Sequence, residues 1–158
     1  MKWSLILLIS EPAQLKLGFK VWDVFSPEVC NWWLNLSRTE CLSNSFLSIT
    51  SGKVVIAPGP SEINDAKEIN AEVLLNNGKA LDISQLTTLI KDSSFIIAND
   101  TGPAHIAAHV GAKGLTLFGK HTTADKVSIE RENFKAIQVT DLNNLSANKV
   151  FERLLNLL

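Results

Sequence analysis

Five short, largely apolar stretches, at residues 54–57, 73–75, 95–98, 115–118 and 134–139, limit what this chain can become. Each suits a strand and is too short for a helix. Turn formers bound them, among them Pro58-Gly59-Pro60, Asn76-Asn77-Gly78, Gly102-Pro103 and Gly119. Apolar residues at consecutive positions mark strands covered on both faces. The stretches between carry apolar residues at helical spacing. Ile63, Ala66 and Ile69 predict a helix over 62–70, with Ser61 as its cap. Leu86, Leu89 and Ile90 predict a second, capped by Asp82 or Ser84, and residues 103–110 a third. Val150, Phe151, Leu154, Leu155 and Leu158 line one side of a closing helix over 146–158, and 119–133 reads as a loop. Strands alternating with helices mean an α/β fold with a mostly parallel sheet. Ligands of such sheets sit beyond the carboxyl ends of the strands. Four turns then point at one edge: 58–62, 76–84, 99–105 and 119–123.

Residues 1–50 are less regular and stand apart from 51–158 as a region of uncertain fold. The apolar start (Trp3 to Ile9) reads as a buried strand, with a weak membrane-surface role left open. It lacks a small-x-small cleavage site and is far too short to span a bilayer. Residues 18–25 read as a second short strand, 29–36 as a short helix and 43–51 as a linker. Trp22, Trp32 and Trp33 either offer a packing surface to a partner or fill the domain's own core. Cys30 and Cys41 lack metal-ligand spacing and read as free cytosolic thiols. Fifteen basic against sixteen acidic residues leave no basic excess to bind nucleic acid.

The richest stretch is Asn99-Asp100-Thr101-Gly102-Pro103-Ala104-His105. An apolar strand enters it and a helix leaves it. Asp100 or Thr101 can cap that helix, and Gly102 lets a ligand approach the backbone. Pro103 suits the first turn, where its missing N–H had no partner anyway. The free N–H groups and the positive end of the helix dipole make such a junction a ready phosphate site. Most strand–turn–helix junctions nevertheless bind nothing, so physics alone leaves both readings open.

The string from Asn99 to Ala108, followed by Gly114-Leu115-Thr116-Leu117-Phe118-Gly119, resembles the signature of glycosyltransferase family 9, the lipopolysaccharide heptosyltransferases. The resemblance runs from about Lys53 to the C-terminus. It implies a Rossmann-like domain, the C-terminal, donor-binding half of a GT-B glycosyltransferase. Such a domain holds a nucleotide-sugar, ADP-heptose in the best-known members, for inverting transfer to a lipid-linked saccharide acceptor. It also implies a cytoplasmic enzyme, with the inner face of the inner membrane left open as its place of action. The acceptor half has no match, so a truncated or split member is expected and no catalytic base is named. The family's Lys-x-Trp-Pro element finds only a faint echo in Lys2-Trp3.

On this resemblance the donor-binding residues are Gly59, Glu62, Asp100, Thr101, Gly102, Pro103, His105, Lys120 and Thr122. Gly59-Pro60-Ser61-Glu62 matches the family's Gly-Pro-x-Glu-like turn. Glu62 either accepts from ribose hydroxyls or complements a helix dipole. Asp100 either caps the helix or accepts from sugar hydroxyls, and Thr101 and Gly102 offer amides to a diphosphate. His105 either offsets leaving-group charge or hydrogen-bonds the loop. Lys120, His121, Thr122 and Thr123 suit a diphosphate or form a plain solvated loop. Residues 81–84 either sit against the base or form a plain loop. His105 and His109 stand at zinc-helix spacing, but Ile106 occupies the general-base position and no third ligand is evident, so no metal or cofactor is expected. Two other functions stay open. One is a non-catalytic nucleotide-sugar-binding domain serving a separate acceptor chain, or a homo-oligomer, through the N-terminal region. The other is a GT-B-like epimerase relative.

Overall fold

The computed structural model describes residues 6–10, 53–69, 71–120 and 122–157 of the 158. The expectations for 18–25, 29–36, 43–51, the two cysteines, Trp22, Trp32, Trp33 and His121 lie outside them. Six strands form one sheet: β1 (Ile6–Ser10), β2 (Lys53–Ala57), β3 (Glu72–Val73), β4 (Ser93–Asn99), β5 (Gly114–Phe118) and β6 (Phe134–Gln138), in the order β3-β2-β1-β4-β5-β6. The helices are α1 (Ile63–Lys67), α2 (Ile83–Asp92), α3 (Gly102–Val110), α4 (Ala124–Val127) and α5 (Ala147–Leu155). Five strands share one direction. β1 alone is antiparallel, to β2 on one side and β4 on the other. The sheet is Rossmann-like and mostly parallel, as the alternation of runs requires.

β2, β4, β5 and β6 alternate between two cores. Val54, Ile56, Phe95, Ile97, Leu115 and Ile137 pack with Ala66 of α1 and with Val150, Phe151 and Leu154 of α5. Val55, Ala57, Ile96, Ala98, Phe118 and Phe134 pack with Ile90 of α2 and with Ala104, Ala107 and Ala108 of α3. Helices therefore cover both faces, and the consecutive apolar runs are explained.

The helix ends follow local chemistry. Asp82 caps α2 in a reciprocal pair: Gln85 N–H donates to Asp82 Oδ1 at 2.8 Å, and Asp82 N–H donates to Gln85 Oε1 at 3.1 Å. Asp82→Ala is expected to lower stability by about 1 kcal/mol, read as a lower melting temperature with unchanged circular dichroism at room temperature. Gly111 ends α3 at φ 76°, a left-handed conformation that glycine adopts freely. Ser146 caps α5 through Lys149 N–H at 3.1 Å.

Three expectations need correction. Ser61 does not cap the first helix: Glu62 is the N-cap, and its side chain makes no capping bond because it turns back to Gly59. Neither Asp100 nor Thr101 caps α3 with its side chain; Thr101 holds the N-cap position while its hydroxyl donates to Asn99 O at 3.2 Å. The segment 119–133 is not all loop. It contains the single turn α4, capped by Thr123, whose Oγ1 accepts from Lys126 N–H at 3.3 Å.

Candidate functional site

Because β2, β3, β4, β5 and β6 run the same way, the turns that follow them gather along one sheet edge. All the candidate residues lie on the turns after β2, β4 and β5 or at the start of α3. The edge is built from three pieces, each held by its own hydrogen bonds.

The first piece follows β2. Gly59 N–H donates to Glu62 Oε2 at 3.0 Å, and Glu62 N–H donates to Gly59 O at 3.0 Å. Glu62 is only 4% exposed, which is rare for a carboxylate and reflects this engagement inside its own turn. Glu62 therefore shapes the Gly59 turn first of all.

The second piece is the junction between β4 and α3. Asp100 N–H donates to Leu117 O at 3.2 Å, tying the turn to β5. Ala104 N–H and His105 N–H both donate to Thr101 O, at 3.0 and 3.3 Å. Pro103 has no N–H to satisfy. The Gly102 N–H has no partner among the described residues, and no side chain caps the helix. Gly102 is exposed, and a Cβ built on it meets nothing within 4 Å among the described residues. The positive end of α3 therefore opens onto free space. His105 Nε2 stands 3.4 Å from Asp100 Oδ1, so the two side chains form one unit at the rim. His109 does not join them. Its Nδ1–H donates to His105 O at 2.7 Å, which ties the ring to the helix backbone.

The third piece follows β5. Gln138, at the end of β6, donates through Nε2 to Gly119 O at 2.7 Å and to Thr122 O at 3.2 Å. One amide thus clamps both ends of the turn that carries Lys120. Gln138 was missed in the sequence; the usable signal was a polar amide set inside the last run, one residue before its end. Lys120 itself is exposed and brings a cation to the edge.

Beside these pieces lies an open groove of about 530 Å³, formed by Leu75, Asn76 and Leu81 of the β3–α2 connection against Ser84, Gln85 and Leu89 of α2. Leu75, Leu81 and Leu89 give it an apolar lining, and Asn76, Ser84, Gln85, Thr88 and Asp92 a polar one.

The model of glycosyltransferase family 9 (heptosyltransferase) matches residues 46–152. The chain belongs to glycosyltransferase family 9. The match contains β2 to β6 and every candidate residue, while β1 lies outside it. No curated protein and no solved structure gives a significant match. Membership fixes the general chemistry of a family 9 domain, a sugar donor and a saccharide acceptor. Among the described residues of this family 9 chain, no helix is long and apolar enough to cross a membrane, and no three side chains group to hold a metal ion.

Proposed function

We propose that this chain is the donor-binding domain of a family 9 glycosyltransferase and holds a nucleotide-sugar such as ADP-heptose along the carboxyl edge of its sheet. The uncapped, open N-terminus of α3 carries this reading. A diphosphate there receives the Thr101 and Gly102 amides and the helix dipole, with Lys120 across the edge as counter-cation. Pro103 presets the first turn. Thr122 presents a hydroxyl beside Lys120. Gly59 and Glu62 border the nucleoside end, and the groove by Leu81 and Ser84 receives the base. Asp100 points a carboxylate at sugar hydroxyls, and its pairing with His105 keeps that carboxylate oriented.

The chemistry such a site supplies is charge stabilisation. As the bond from the anomeric carbon to the diphosphate breaks, negative charge grows on the leaving oxygen, where fixed dipoles and a cation lower the barrier. The acceptor, a lipid-linked saccharide of the lipopolysaccharide core in this reading, and the base that activates it come from a separate domain or chain.

Calorimetric titration of the purified protein with ADP and ADP-heptose, with UDP and GDP as controls, tests the reading. Saturable binding of the two adenine ligands and weaker or no heat from the controls is the expected result. Absence of heat with all four would refute the proposal for this chain.

A further inference from the structure

The turn that carries Lys120 is held from outside itself. Gln138 is the last residue of β6, the edge strand beside β5. Its Nε2 donates to Gly119 O at 2.7 Å and to Thr122 O at 3.2 Å. Both partners are carbonyl oxygens, so the side chain must offer two N–H groups, which an amide does and a carboxylate cannot. Next to this contact, Val139 N–H donates to Phe118 O at 3.0 Å, continuing the pairing of the two strands past their ends. The clamp is therefore anchored in the sheet. What it holds is a cation: Lys120 is exposed, and no carboxylate pairs with it among the described residues. Neither Lys120 N–H nor Thr122 N–H has an acceptor among those residues either. Gln138 thus occupies acceptors of the turn and leaves donors and a positive charge for an incoming anion.

We propose that Gln138 is a positioning residue for the donor diphosphate: it holds the Lys120 turn in the shape that presents the cation before any ligand arrives. The ligand in this statement rests on the donor-site reading; the clamp rests on the geometry of β6 alone. A turn that is already ordered gives up little freedom when an anion binds, and affinity rises accordingly. Without the clamp Lys120 is still in the chain, but binding must order its backbone. Ordering one residue more corresponds to a loss of roughly 5- to 30-fold in affinity. Gln138 touches no substrate in this scheme and acts through Lys120.

Gln138→Met tests it, because methionine keeps the length and flexibility of glutamine and offers neither a donor nor a charge. Two readouts are taken on the full chain. Amide relaxation measured by NMR reports the turn. The amides of Gly119, Lys120 and Thr122 are expected near an order parameter of about 0.85 in the wild type and below about 0.6 in Gln138→Met, with those of β5 unchanged. Gln138→Glu, which sets a carboxylate against two carbonyl oxygens, should release the turn at least as fully. Calorimetry reports the ligand. ADP is expected to bind Gln138→Met at least about 5-fold more weakly than the wild type. In a Lys120→Ala background the same change should weaken binding no further. A general loss of structure would weaken binding in both backgrounds, so the cycle separates positioning from folding. An unchanged turn in Gln138→Met, wild-type ADP affinity in that protein, or an equal loss with and without Lys120 would overturn the proposal. Absence of ADP binding by the wild type removes the donor site. Release of the turn in Gln138→Met then still upholds the clamp, whereas an unchanged turn removes both.

Discussion

Gly102→Val is expected to abolish nucleotide binding and leave the fold intact. Most glycine-to-valine changes in a domain this size confound the two effects, but this position separates them. Gly102 has no left-handed backbone to protect, and an added Cβ meets no atom of the described residues within 4 Å. The extra carbons therefore enter only the space that the diphosphate would occupy over the first turn of α3. Losing two charge-assisted contacts to backbone amides, at about 1.5–3 kcal/mol each, predicts affinity at least about 100-fold weaker. Calorimetry against ADP measures the loss, and a superimposable thermal melt confirms the fold. Wild-type affinity in the valine protein would move the ligand away from α3.

The largest effect on stability is expected at Gly114, where the same substitution has the opposite character. Gly114 pairs with Ile96 across β4 and β5. A Cβ there would collide with the Ile96 carbonyl oxygen and lie 2.9 Å from Cε2 of Phe134. Neither neighbour can yield: one is backbone in the centre of the sheet, and the other is a fully buried ring. Gly114→Val must separate β4 from β5 or displace Phe134, at about 3 kcal/mol or more. In a domain of this size that lowers the melting temperature by roughly 6–12 °C. Gly119→Ala is the control. Its added methyl would meet Leu142 at an ordinary 3.5 Å, so the melt should barely move. Equal effects at the two glycines would mean that the β4–β5 spacing is looser than the packing implies.

These contrasts show what could be read in the sequence. The strands of the second region were legible because short, largely apolar stretches ran into turn formers such as Pro58-Gly59-Pro60, Asn76-Asn77-Gly78 and Gly119. Asp82 and Ser84 both stood as caps for α2, and the reciprocal bonds with Gln85 select Asp82. Ser61 misled because Glu62, one residue later, folds its carboxylate over Gly59 N–H and takes the N-cap position itself. The four residues of α4 are too few to show any period. An apolar run such as 6–9 predicts a strand, but direction and place in a sheet depend on partners far away in the chain, so the antiparallel insertion between β2 and β4 was invisible. At the candidate site the α3 junction could be read locally. The Gln138 clamp joins residues sixteen and nineteen positions apart and could not.

The inward face of α3 is made of methyl groups, those of Ala104, Ala107 and Ala108, all buried. Small side chains let a helix axis sit close to the strands beneath it. That closeness sets how far the helix's positive pole reaches along the edge where an anion would rest. Affinity for a phosphate is thereby written partly into the hydrophobic interior, as a clearance rather than as a contact. A bulkier residue at any of the three would retract the pole without altering a single group that a ligand touches.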